Sequence, residues 1–559
     1  MKKLILILPA IILMTACTSG TKKMEQQLKT FIDSLELKAK PLEAGAGLAY
    51  FNATTTGKQE EYQKYSDLNI QISKIYSDSA SFATLKGIKE SGQVKDSLLV
   101  RQMNVLYNQF LSNQIDPKLL EELIKAQTKL EEKYNTYRAQ VDGKKLTDNE
   151  IDKILKSSAN TKELKKVWEA SKQIGDSAAA GVVAIVKMRN NIAQKLGFKN
   201  YQEMSLKLSE QDPEKILTLF DELDSLTRGT FITLKSNMDS VLAKEYKISP
   251  DQLMPWHYQN RFFQEAPSIY NIDLDSYFAN KDVVELTKNY YAGIGLDITP
   301  ILAKSDLFER EGKYQHAYCI HIDRSGDVRA VCNVKNNHQW MGTMLHEFGH
   351  GVYDYNIDMS LPYYLRTPAH TFTTEAIAMI FGRLASNPLW IRDNAGISNE
   401  EAEKISTAVS NSLKLEQIVF SRWTQVMFRF EKAMYENPDQ DLNKLWWDLV
   451  EKYQMIKKPE GRNDADWASK IHIALYPCYY HNYQLGELLA SQLQAYINTN
   501  ILKVGATDVV SMTKNPEVGT YLLNKVFRPG ARYEWNDMIK RATGEELTAK
   551  YYAAQFVTK

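Results

Sequence analysis

From about residue 22 to residue 300, apolar residues recur at helical spacing with charged residues between them, as in EEYQKYSDLNIQISKIYSD (60–78) and DPKLLEELIKAQTKLEEKYNTYRAQV (116–141). A period near 3.6 with polar outer faces predicts a succession of amphipathic helices. The pattern changes at AYCIHID (317–323) and VRAVCNV (328–334), where β-branched residues flank Arg324-Ser325-Gly326-Asp327. Two short apolar runs around a turn of that composition predict a β-hairpin. Helical spacing returns in NNHQWMGTMLHEFGHGVYD (336–354) and TFTTEAIAMIFGRLA (371–385). No repeat of fixed period, low-complexity tract or Pro/Gly/Ser linker divides the chain. The expected fold is mainly α: a single large helical body, two-lobed about a deep central cleft, with one short hairpin. Residues 22–300 form its mostly helical half, which is in a position to act as a lid.

Composition narrows the function classes. Among 559 residues, 69 basic side chains nearly balance 68 acidic ones, giving a net charge of +1, and no block of like charge stands out. A nucleic-acid partner is therefore not expected. At the amino terminus Lys2 and Lys3 precede an apolar run from Leu4 to Met14, too short for a mature bilayer span, which takes about 20 residues. This reads as a secretion signal. Its end, Met14-Thr15-Ala16-Cys17, resembles the bacterial lipobox, which implies removal of residues 1–16, a lipid on Cys17 and a mature body of residues 17–559. The expectation is an exported bacterial lipoprotein, anchored to a membrane and facing the periplasm or the cell surface. Three further cysteines remain, an odd number. Cys319 and Cys332 flank the hairpin turn, where an oxidising compartment could join them, and Cys478 reads as a small core residue.

The strongest chemical signal is His346-Glu347-Phe348-Gly349-His350. On a helix, positions four apart lie about 40° from superposition, so both imidazoles can reach one metal ion. Glu347, about 100° round from His346, can hold a water on that metal without ligating it. A catalytic zinc site needs a third protein ligand and an open position. Six residues after His350, where one metalloprotease class places a third histidine, stands Asn356, which excludes that class. Asp354 and Asp358 lie on or just past the same helix, whereas a ligand arriving from another element suits the geometry better. Glu375 is the next acid, set among apolar and small residues where a carboxylate calls for a partner. One Zn2+ per chain is expected, on His346, His350 and Glu375.

These residues resemble the gluzincin peptidases, specifically the angiotensin-converting enzyme family and the related thimet oligopeptidase and oligoendopeptidase families. Asn443 to Gln454, with its paired Trp446 and Trp447 and its Lys452-Tyr453-Gln454 ending, is similar to the converting-enzyme pattern, as is Leu361-Pro362 through Arg366 ahead of Glu375-Ala376-Ile377. Arg310 to Tyr314 with His316-Ala317 is closer to the oligopeptidase pattern, and Ala317-Tyr318-Cys319 to the oligoendopeptidase one. The recognisable motifs run from residue 306 to 490. The resemblance implies that Lys470 grips a substrate's terminal carboxylate, that His472 hydrogen-bonds its backbone, and that Tyr483 donates to the oxyanion while Tyr480 assists or binds the carboxylate. His321 lies near a substrate-binding histidine of the family. Between His472 and Tyr480 the spacing requires a one-residue adjustment. Val450 and Asn482 stand where converting enzymes hold chloride through arginines, so no chloride site of that type is expected. Met379 replaces the aspartate that follows the third ligand by four residues, leaving Asp354 as a substitute for orienting the histidines.

The function so implied is hydrolysis of short peptides by water that Glu347 activates, with dipeptides released from the carboxyl end. Internal cleavage of short peptides is the alternative within the same chemistry. A catalytically silent, surface-anchored peptide-binding lipoprotein is the alternative outside it.

Overall fold

The computed structural model describes residues 8–270 and 272–557, with the backbone alone over residues 8–19. The side chains of the expected signal segment and of Cys17 lie outside the described residues. Capping residues set many helix starts. Asp116 accepts the amides of Lys118 and Leu119 ahead of Pro117–Thr136, and Asn337 accepts the Trp340 amide at 2.9 Å ahead of His338–Tyr355. Each satisfies amides that the helix itself leaves unpaired. The fold is mainly α. Among the described residues the only sheets are two antiparallel pairs, Ala139–Val141 with Lys144–Leu146 and Tyr318–His321 with Val328–Val331. The first pair corrects the helical reading of residues 137–141. Its turn is Asp142-Gly143, both at positive φ (49° and 81°), a dipeptide that favours tight hairpins.

Apolar packing forms a main core and a smaller one, with a three-residue cluster of Phe51, Ile322 and Val331 between the first helix and the second hairpin. The main core runs from Leu123 to Phe556 and includes Trp390, Trp423 and Trp467. A smaller core lies within the first helices, Leu8–Thr56, Gln59–Tyr76, Ser79–Glu90 and Ser97–Ser112, and meets the rest of the chain at Tyr363 and Tyr364. Polar ties reinforce that junction. Glu43 accepts hydrogen bonds from Tyr76 and Tyr363, each at 2.8 Å, and pairs with Arg324 of the hairpin turn at 3.3 Å. Arg101 pairs with Glu210 and donates to the Ala531 carbonyl at 2.8 Å. No helix among the described residues is long and apolar enough to cross a membrane.

Of the three helices His338–Tyr355, Thr371–Gly382 and His481–Tyr496, the second packs against both others, and glycines set how closely. A methyl group at Gly349 would lie 2.8 Å from Ala378 Cα, one at Gly382 would lie 3.3 Å from His346 Cβ, and one at Gly486 would lie 3.4 Å from Glu375 Cβ. Backbone therefore packs on backbone where the ligand-bearing helices meet. The second hairpin rests on the first of these helices, with Cys319 Sγ 3.8 Å from the place of a Gly351 methyl. On its other side comes the first helix, so close at Gly47 that a methyl there would lie 2.8 Å from the Ile322 carbonyl oxygen.

Cys319 and Cys332 are free thiols, which corrects the disulfide the sequence allowed. Cys319 pairs with Ala330, so Cys332 is its diagonal neighbour. Diagonal positions lie about 7–8 Å apart, beyond the usual disulfide span of about 4.4–6.8 Å. Burial pushes both thiols up from their ordinary pKa.

Candidate active site

His346 and His350 project from one helix and Glu375 from the helix that crosses it at Gly349. The three donor atoms lie within 4.8 Å of one another. Glu375 Oε2 is 3.7 Å from His346 Nε2 and 3.8 Å from His350 Nε2. Tetrahedral zinc with bonds of about 2.0–2.2 Å separates its ligand atoms by about 3.4 Å, so small side-chain adjustments seat the ion.

The charge pattern fits a cation as well. Burial lowers the imidazoles to about 4 for His346 and, with help from His346, to about 3 for His350. Both rings are thus neutral and free to ligate. Burial raises Glu375 to about 7. Burial and then Glu375 raise Glu347 to about 8, and only 7% of Glu347 is exposed. Two carboxyl groups whose ionised forms burial disfavours, beside neutral rings, form a site where a divalent ion would favour the carboxylates. The ligand side chains nonetheless keep 31%, 15% and 20% of their surface open to solvent.

Behind His350, Nδ1 bonds Thr374 Oγ1 at 2.7 Å. The sequence pointed instead to Asp354, which is one helical turn further on and makes no hydrogen bond to the ring among the described residues. Met379 contributes no polar contact to the histidines, and its sulfur packs 3.3 Å from the place of a Gly486 methyl.

The other expected residues gather on the third helix and the segment before it. Tyr480 and Tyr483 have ring centroids 5.2 Å apart, and His472 lies 5.2 Å from Tyr480. The irregular stretch between Ile471–Leu475 and His481–Tyr496, with Cys478 at φ 55°, absorbs the unusual spacing. The Tyr483 phenol is raised by burial and then by the Glu375 carboxylate, and the neighbouring Tyr479 is raised by the same two causes. His472 is lowered to about 4 by burial and then by Lys470, and its buried Nδ1 has no partner among the described residues. Lys470 is 7% exposed, and burial, then Arg261, lowers it to about 8. Its ammonium lies among the rings of Phe262, Trp423 and Tyr480, at 5.3, 5.5 and 5.4 Å. It donates to Gln264 Oε1 at 2.5 Å and has no ion-pair partner among the described residues.

Gln264 is a residue that sequence reasoning missed, since it lies in an irregular stretch without periodicity or motif. His321 turns inward to its own hairpin, accepting the Gly326 amide at 3.2 Å, and burial lowers it to about 4. The structure does not bring it into the group around Tyr483. Val450 is a core residue, and Asn482 accepts a hydrogen bond from Gln211 at 2.7 Å.

The sequence profile of the angiotensin-converting enzyme family matches residues 22–556. The chain belongs to that family. The match includes the amino-terminal helices as well as the motifs from residue 306 onward, so the angiotensin-converting enzyme family accounts for nearly all of the described fold. One curated relative, the inactive angiotensin-converting enzyme-related protein of Caenorhabditis elegans, is 25% identical over 114 residues, which is 19% of this chain and 12% of that protein. The chain thus matches a small part of that relative's length. Within the angiotensin-converting enzyme family, this chain carries a full set of His346, Glu347, His350 and Glu375.

Proposed function

We propose that this chain is a zinc-dependent peptidase that releases dipeptides from free carboxyl ends. The observation that carries the narrower half is Lys470. A buried ammonium with a neutral amide and aromatic rings around it, and no carboxylate of its own, is suited to receive an anion. Lys470 contacts the Tyr480 ring at 5.4 Å and Tyr480 contacts Tyr483 at 5.2 Å. Those two contacts keep the ammonium and the Tyr483 ring within about 11 Å of each other, a span that two extended residues, about 7 Å, and the reach of the side chains can bridge. A substrate whose terminal carboxylate sits on Lys470 and Gln264 then presents its second peptide bond from the end to Tyr483 and the metal ligands.

When bound, zinc supplies Lewis acidity and a water of lowered pKa. Glu347 accepts the proton of the attacking water and passes it to the departing amine. The Tyr483 phenol donates to the developing oxyanion, and the neutral His472 ring hydrogen-bonds the peptide backbone. No covalent enzyme intermediate is required.

The test is a digest of one peptide in two forms, with a free and with an amidated carboxyl terminus, read by mass spectrometry. Dipeptides from the free acid and none from the amide support the proposal. Equal cleavage of both forms overturns it in favour of internal cutting. No cleavage of either by zinc-loaded protein leaves the silent peptide-binding reading.

The amino-terminal pattern supports export and a lipid on Cys17. Cys17→Ser should release the chain from the membrane fraction, and continued membrane association of that variant would overturn the anchor.

A further inference from the structure

A histidine that ligates through Nε2 carries its proton on Nδ1, and the acceptor of that proton sets the tautomer and the plane of the ring. For His350 the Nδ1 partner is the Thr374 hydroxyl at 2.7 Å, which can accept that proton. Thr374 directly precedes Glu375, so one turn of the Thr371–Gly382 helix supplies both a ligand and the group that steadies another ligand. The next turn offers no carboxylate, because Met379 fills it against Gly486.

A hydroxyl that accepts from an imidazole still has its own proton to donate. Thr374 lines a solvent-open cavity of about 630 Å3 together with Asp354, Glu210, Thr367 and His370. Asp354 lies one turn beyond His350 on the same helix and is therefore on the same side as the ligating ring. A solvent-open cavity of this size, with these polar groups on its wall, accommodates water, which can carry a hydrogen bond from Thr374 to Asp354.

We propose that Thr374 is the positioning residue that fixes the tautomer and orientation of His350, and that Asp354 backs it across this cavity as the terminal acceptor. The inference rests on His346, His350 and Glu375 being the ligand set. An imidazole–hydroxyl–carboxylate relay then does the work of a direct imidazole–carboxylate contact.

Two readings on the metal-free, full-length protein test it. One is a zinc titration against a chromophoric chelator, and the other is the imidazole nitrogen spectrum of protein labelled with 15N-histidine. In the wild type, His350 is expected as the Nδ1-protonated tautomer. Thr374→Val should mix the tautomers and weaken zinc binding about 10–100-fold, the range for loss of a group that orients a ligand. Thr374→Ser should stay within about threefold of wild type because it keeps the hydroxyl, and Asp354→Asn should fall between the two. If Thr374→Val does not fold, Thr374→Ala is read in the same way.

Wild-type affinity together with an unchanged tautomer in the hydroxyl-free variant overturns the role of Thr374. An Asp354→Asn protein indistinguishable from wild type overturns the relay to Asp354. Glu375→Ala in the same titration separates this inference from the ligand assignment. Affinity lost there but kept without the hydroxyl defeats only the positioning role, whereas affinity kept in Glu375→Ala defeats the ligand set itself.

Discussion

Glu347 is buried beside Glu375, and burial followed by that neighbour lifts its carboxyl to about 8. Its distinct role predicts that Glu347→Gln retains bound zinc while kcat falls at least about 100-fold. Metal analysis beside steady-state rates checks this, and near-normal turnover would remove Glu347 as the base. Lys470 carries the residue-scale pH prediction. Its ammonium is charged below about 8 and neutral above it, so attraction for a free carboxylate is present at low pH and lost as the pH rises through that value. KM for a free-acid peptide should therefore climb above about pH 8 more steeply in the wild type than in Lys470→Met, which has no charge to lose. Parallel profiles would detach Lys470 from the substrate. His346, Glu347 and His350 were legible in the sequence because helix geometry alone converts their spacing into a shared face. Glu375 needed elimination and family resemblance. Gln264 was illegible because it lies in an irregular segment, and Thr374 because a threonine before a glutamate near a helix start reads as ordinary helix-end chemistry.

At the scale of elements, the site depends on side chains that are missing. Gly349 allows the ligand helices to meet backbone to backbone, with Ala378 Cα only 2.8 Å from the place of a methyl. Gly349→Ala is expected to push the helices apart, costing about 1–3 kcal/mol of stability and displacing Glu375 from the histidines. Gly486→Ala should be milder, since its nearest neighbour is the flexible Met379 side chain at 3.3 Å. Thermal melting with zinc titration ranks the two, and equal effects would contradict the backbone-contact argument. The hairpin at Tyr318–His321 and Val328–Val331 was legible from its β-branched runs and its turn. The Asp142-Gly143 hairpin was obscured because its strands continue a strongly helical stretch. The diagonal register that keeps Cys319 and Cys332 apart could be known only once the strand pairing was fixed.

For the whole molecule, the divided apolar packing has a dynamic consequence. The first helices bury a small core of their own and meet the remainder through Tyr363 and Tyr364, a small apolar cluster of Phe51 with Ile322 and Val331, and a few polar ties. Regions with fewer buried apolar contacts open at lower free energy. Hydrogen exchange is therefore expected to be faster in Gln59–Tyr76 and Ser79–Glu90 than in His338–Tyr355, and faster again in Glu43→Gln. Uniform protection across these helices would refute such a division. The place where Gly47 bears on Ile322 would serve as the fulcrum for any tilt of the first helix against the hairpin. From Gly47 to Gly20 the helix extends about 40 Å. A tilt of about 5° at the contact swings the far end by about 3.5 Å, so a spectroscopic label near residue 20 would magnify a shift of the hairpin into a readable displacement.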